Sequence, residues 1–391
     1  MSNSGVIPRT ASIAIADMLE NCAQMQPGQN VLIVAAYDGL YGGRNVVDEQ
    51  AISWIQQAVQ DRGAYPSVLW LDMPTRPASV WSNGRIEGWR VPPIFKGALS
   101  GADFWINHCV DLSFEEELKE VGDLCKEYDC PMVRNMATTS AMLSSIWALT
   151  PYELVSEIRF QTAAMIQPGQ HWTLTHPNGT HLEGTVREAQ SAAQYASRRT
   201  DGQGLYRPFP EGVFPALTAN DAEGDLVFSG TNPIWARHLG IPSSFEKPVQ
   251  LTVREGHIKE FKGGREADQY RQCYAALAEE LGDDVYHIRG THGGIHPYAH
   301  LSDLQCPDAG YRDFIEHHHW SSQHVHLGNS HNKKEFPYHM HVTAEIRGAT
   351  LKVGDKFLWK DGRPSALDHP KVAEIAKKYP DRPGLQADLW E

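Results

Sequence analysis

The sequence has 391 residues, with 48 acidic side chains against 35 basic ones and a formal charge of −13. That balance offers no basic stripe for nucleic-acid phosphates or anionic lipid heads, and no run of 18 apolar residues is present to span a bilayer. With 41% apolar and 21% charged residues and 11 tryptophans, the composition is that of folded cores rather than disorder.

Residues 1–22 lack the charged-then-apolar layout of a signal segment and read as a helix, so a cytoplasmic enzyme is expected. Val31 to Tyr37 is a continuous apolar run preceded by the turn Gln26-Pro27-Gly28-Gln29, which reads as a strand buried on both faces. The glycines at 39, 42 and 43 follow it without GxGxxG spacing and without a GK[ST] sequence, which favours a tight turn over a nucleotide-phosphate site. Asp48 to Val59 has helical spacing. Ser67 to Leu71, Asp103 to Val110 and Pro131 to Met136 read as strands, with a helix at Phe114 to Cys125 between the last two. Strands alternating with helices predict an α/β domain with a mostly parallel sheet over residues 1–150.

Past Leu149-Thr150-Pro151 the texture changes to hairpins. Asn178-Gly179 separates two alternating runs between His171 and Val186, and Glu255-Gly256 separates Val249–Val253 from His257–Phe261. A helix is expected from Glu266 to Leu281, then strands at His339–Ile346 and Leu351–Lys360 joined near Arg347-Gly348-Ala349. Residues 151–391 are thus expected to form an α+β domain rich in antiparallel hairpins. The six cysteines (22, 109, 125, 130, 273 and 306) have no CxxC spacing and read as reduced, mostly buried thiols.

Histidine is where the pattern concentrates: 12 of the 19 lie between His287 and His341. His339-Met340-His341 places two imidazoles on one face of a strand, continued by Thr343 and Glu345, while Met340, Val342, Ala344 and Ile346 face the other way. Such a pair can share one metal ion. His292, His296 and His300 have i, i+4, i+8 spacing, but Gly293, Gly294 and Pro297 argue against a helix. The stretch reads instead as a glycine loop that lets backbone approach something closely. His317-His318-His319 reads as a helix end from which at most one ring could join a site, and His324-Val325-His326 repeats the strand geometry. A site dominated by imidazole suits Zn, Fe, Cu or Ni, and the residues alone do not choose among them.

Several segments resemble the M29 aminopeptidases (aminopeptidase T type) and their iron-dependent relative, 2,5-dihydroxypyridine 5,6-dioxygenase. Gln26 to Val34 resembles the family's first Pro-Gly turn and strand, and Thr173 to Leu182 is similar to the hairpin opening its second domain. Phe209 to Pro215 is similar to the segment that carries a metal-site glutamate in the peptidases, with Glu211 offset by one. His292-Gly293-Gly294-Ile295 falls where the family has an acidic residue before Gly-Ile-Gly. Val325-His326-Leu327 resembles its Val-His-Ile, and His339-Met340-His341 its His-x-Asp.

Histidine at 292 and 341, where the family has carboxylates, removes two negative charges. Two dications a few ångströms apart repel by several kcal/mol even at an effective dielectric of about 20, so a single metal is expected. The resemblance then implies His292, His339 and His341 as its ligands, Fe(II) as the metal, and cleavage of a hydroxylated aromatic or N-heteroaromatic ring with O₂. Glu211 and His326 are the candidates for proton transfer, and His331, Tyr338 and Trp320 for contacts to the small aromatic substrate. A homo-oligomer is implied as well. A zinc metallohydrolase acting on an amide or a heterocyclic C–N bond is the alternative on the same three histidines, and a metal-storage surface is a third reading.

Overall fold

The computed structural model describes residues 6–36, 49–71, 92–108, 119–135, 139–187, 206–209, 217–231, 241, 244–300, 302, 304, 312, 315–328 and 342–382. A helix over Arg9–Asp17, continued by a wider turn at Met18–Cys22, leads into β1 (Asn30–Ala36). Its alternate residues enter two different cores. Val31, Ile33 and Ala35 pack with the N-terminal helices, and Leu32 and Val34 pack with Phe95, Leu99 and Trp105. That is why the run is apolar without alternation.

β2 (Tyr65–Leu71), β3 (Phe104–Asn107) and β4 (Met132–Arg134) lie parallel in the order β2-β1-β3-β4, separated by helices at Glu49–Asp61, Pro93–Leu99 and Lys119–Glu127. A helix over Tyr152–Ala164 then crosses to the second region. There β5 (His171–His176) and β6 (Thr180–Thr185) form the hairpin around Asn178-Gly179. Gly179 takes a φ of +105°, and the Asn178 side-chain amide donates to the Val227 carbonyl at 2.8 Å, pinning the turn to a neighbouring strand.

The chain next returns to the first sheet. β7 (Tyr206–Pro208) pairs parallel with β4 as its fifth strand, so that sheet draws on residues from both sides of Pro151. β8 (Leu217–Thr218), β9 (Glu223–Gly230), β10 (Ser244–Arg254) and β11 (His257–Lys262) follow, then a helix over Arg265–Leu281. The remaining strands are β12 (Ile288–Gly293), β13 (Ser322–Leu327), β14 (Val342–Arg347), β15 (Thr350–Val353), β16 (Lys356–Lys360) and β17 (Arg363–Pro364). They complete an eight-stranded antiparallel sheet, β11-β10-β9-β6-β5-β15-β16-β17, and a four-stranded one, β14-β13-β12-β8. The expected layout, a parallel α/β region followed by an antiparallel α+β region, is the one observed.

Two local expectations are corrected. Leu351–Lys360 is not one strand but the hairpin β15–β16, because Gly354 adopts a φ of +54° and turns the chain. β14 and β15, adjacent in sequence, belong to different sheets: β14 pairs with β13, and β15 with β5. Residues 37–48, with their glycines, lie outside the described residues. No described helix is long and apolar enough to cross a membrane.

Candidate metal centre

The four-stranded sheet carries the site. Its register sets His292 of β12 opposite His324 of β13, which in turn lies opposite Glu345 of β14. One step along, His326 pairs with Thr343. Strand alternation therefore puts His292, His324, His326, Thr343 and Glu345 on one face. The intervening Val325, Ala344 and Ile346 are buried in the main hydrophobic core, which fixes the register: a slip of one residue would drive the histidines into that core.

Across the polar face the rings converge. His292 and His324 are stacked, 4.9 Å between centroids and 9° between planes, and His326 lies 4.6 Å from His292 and 5.1 Å from His324. One ring nitrogen from each of the three falls within 4.8 Å of the others. Among the described residues this is the one group of three or more His, Cys, Asp or Glu side chains that close. A single divalent ion fits the donor set: three nitrogens and no thiolate, a set suited to mononuclear zinc or iron rather than to a structural zinc ribbon.

The other histidines divide by environment. His317 Nδ1 donates to Glu345 Oε1, 2.9 Å away, and its ring lies 3.6 Å from that of His324. His296 is a core residue: it stacks on Trp147 at 5.6 Å, and its Nδ1 accepts from the Tyr298 backbone N–H at 3.0 Å. His300 pairs with Glu316 at 2.5 Å, and Glu316 pairs with Arg347. The stretch expected as a glycine loop begins as strand, Thr291 to Gly293 closing β12, and the expected close backbone approach falls at Gly294. A Cβ on Gly294 would lie 2.0 Å from the His319 carbonyl oxygen, so the loop carries the His317–His319 segment against the end of β12.

Burial keeps several of these imidazoles neutral. His108, at the end of β3, is held down at about 3 by desolvation alone. His319 is lowered to about 4, first by burial and then by Arg347. His296 is pushed well below its ordinary value of 6.5 by burial and by the neighbouring His318 and His319. An unfolded chain takes up protons at these positions as pH falls through about 6.5, whereas the folded one does not until about 4 or below. Their contribution to stability is therefore complete above about pH 6.5 and lost on acidification. Thermal melts of the apo protein should show a melting temperature that declines steadily from about pH 6.5 to 4; a flat profile over that range would contradict the assignment.

Of the residues singled out from sequence, His292 and His326 lie in the triad. Trp320 packs against the core, with its carbonyl accepting from the Trp359 indole N–H at 2.9 Å and its ring 6.0 Å from that of His319. Glu211, His331, Tyr338, His339 and His341 lie outside the described residues. The sequence reading left His324, Glu345 and His317 off the site. The His-x-His spacing at 324 and 326 was a signal for the first. The pairing of β13 with β12 and β14, which brings the others in, leaves no local trace.

The family model described as NicX, 2,5-dihydroxypyridine 5,6-dioxygenase, matches residues 12–363. The chain belongs to that family. Among solved structures, a 2,5-dihydroxypyridine dioxygenase from Pseudomonas putida KT2440 aligns at TM-score 0.62 and 13% identity, covering 92% of this chain and 98% of that one. Wild-type AmpT from Thermus thermophilus aligns at TM-score 0.50 and 11% identity, covering 91% and 99%. At these identities the two structures speak to the fold, which spans the length of both. No curated protein matches the chain by sequence. Membership of the dioxygenase family, with the fold shared by AmpT, agrees with the resemblance read from the motifs.

Proposed function

We propose that this chain is a metal-dependent dioxygenase that opens the ring of 2,5-dihydroxypyridine or a closely related hydroxylated N-heteroaromatic, with O₂ as co-substrate. The observation that carries the reading is the convergence of His292, His324 and His326 on one sheet face in a chain that matches the dioxygenase family over 12–363. In this reading these three imidazoles hold one Fe(II), and His326, expected from sequence to move a proton, serves as a ligand because its ring lies beside that of His292. When bound, Fe(II) supplies Lewis acidity and the redox capacity that reaction with O₂ requires.

A second donor set shares His292 and draws on His339 and His341. It is the set that the resemblance of His339-Met340-His341 to the family's His-x-Asp implies. Either set consists of neutral donors, so the site keeps the full charge of a dication and selects an anionic, chelating substrate such as a deprotonated hydroxypyridine. Glu211 is our candidate for proton transfer, and His331 and Tyr338, with Trp320, for contacts to the ring. Cys22, Cys125, Cys130 and Cys273 are thiols rather than disulfide sulfurs, and we place the protein in a reducing, cytoplasmic setting. We propose a homo-oligomer on the family resemblance.

The test is oxygen uptake by protein reconstituted separately with Fe(II) and with Zn(II). With 2,5-dihydroxypyridine, the iron form should consume O₂ in step with loss of the aromatic absorption, and the zinc form should not. Turnover by the zinc form under anaerobic conditions would replace this reading with a metallohydrolase.

A further inference from the structure

Beyond the three imidazoles, a carboxylate addresses the site through a fourth ring. Glu345 lies directly across the β13–β14 pair from His324, with its side chain 14% exposed. Its Oε1 is 2.9 Å from His317 Nδ1 and 3.4 Å from the Thr343 hydroxyl, which donates to it. An ionised carboxylate only accepts, so the proton of that bond sits on His317 Nδ1. His317 then packs its ring 3.6 Å from that of His324, with 34° between the planes.

The segment that carries His317 is fixed from two sides. His296 N–H donates to the His318 carbonyl and Trp320 N–H to the His296 carbonyl, while Glu316 is tied to Arg347. The chain on both sides of His317 is therefore held, and so is its Nδ1. A buried carboxylate–imidazole pair contributes little net stability relative to apolar residues of similar size, so its place beside three converging histidines calls for another role. Metal-binding imidazoles are commonly fixed by such outer partners.

We propose that Glu345 and His317 are positioning residues of the metal centre: Glu345 sets the orientation of His317, and the His317 ring holds His324 in the plane from which it donates to the cation. The inference rests on the reading that His292, His324 and His326 bind that cation.

The experiment is Co(II) titration of the full-length apo protein against a chromophoric chelator, together with the visible spectrum of the Co(II) form. Glu345→Ala should weaken Co(II) binding by about 10- to 100-fold and alter the spectrum. Glu345→Gln, which keeps an oxygen for the His317 N–H, should recover most of the affinity and the wild-type spectrum. If Glu345→Ala does not fold, His317→Phe is set against His317→Ala. The variant that keeps a ring on His324 should bind Co(II) more tightly than the one that does not. Wild-type affinity and spectrum in Glu345→Ala, or equal affinities in the two His317 variants, would overturn the inference alone. Failure of the wild type to bind Co(II), or unchanged binding by His324→Ala, would overturn the ligand assignment and this inference with it.

Discussion

His292→Ala is expected to lower affinity for a divalent metal by about 100-fold or more, and to abolish ring cleavage with it. The magnitude follows from position. Loss of an outer partner of a metal ligand already costs about 10- to 100-fold, and His292 is a donor common to both ligand sets considered above. It sits at the end of β12 with the His324 and His326 rings 4.9 Å and 4.6 Å away, and among the described residues the convergent group it belongs to contains no carboxylate. The fold should survive, because the side chain is half-buried and faces away from the main core. Metal content after purification, with the circular dichroism spectrum as a control for folding, reads this directly. The same measurement on His324→Ala/His326→Ala and on His339→Ala/His341→Ala separates the two donor sets. The first double variant should lose the metal and the second retain stoichiometric binding.

Gly294→Ala should be the most damaging single-methyl change in the site. The added Cβ would lie 2.0 Å from the His319 carbonyl oxygen and 2.6 Å from the His318 carbonyl carbon, and both are backbone atoms that cannot rotate away. The loop cannot retreat either, since the Gly294 N–H donates to the Ser322 carbonyl at 2.8 Å. Relief requires moving the His317–His319 segment off the sheet, at a cost of about 3 kcal/mol in stability and with the loss of the His317 contact to His324. Gly97 provides the control. It lies in the helix Pro93–Leu99, and a Cβ there would meet nothing within 4 Å, so Gly97→Ala should be neutral or stabilising by up to about 1 kcal/mol. Denaturant melts of the two variants compare them. Equal stability would mean that the close approach at Gly294 is not a constraint.

What could be read from the sequence was local. The apolar run at Val31, the Asn178-Gly179 turn and the Glu255-Gly256 turn each encode their structure within a few residues, and each appears in place. The glycines after His292 announced a close backbone approach, although not what approaches. Pairing at long range was invisible. Nothing near Tyr206 indicates that it joins the parallel sheet, and nothing near Arg347 indicates that the chain leaves one sheet for another.

The site divides the same way. The His-x-His at 324 and 326 fixes two rings on one face, but its meeting with His292 depends on the pairing of two strands in which His292 lies opposite His324, far along the chain. The His317–His319 triplet was expected to contribute at most one ring, and His317 is the one that faces His324, while His318 and His319 hold the loop through their carbonyls and ring.

On the reading proposed, one cation is held by imidazoles on the face that includes His292. A crystal of the Fe(II)-loaded protein, measured on both sides of the iron absorption edge, locates the ion without reference to activity. One anomalous peak per chain is expected, about 2 Å from a ring nitrogen of His292 and from two further imidazoles. A pair of peaks bridged by carboxylate, or a single peak away from His292, would contradict it.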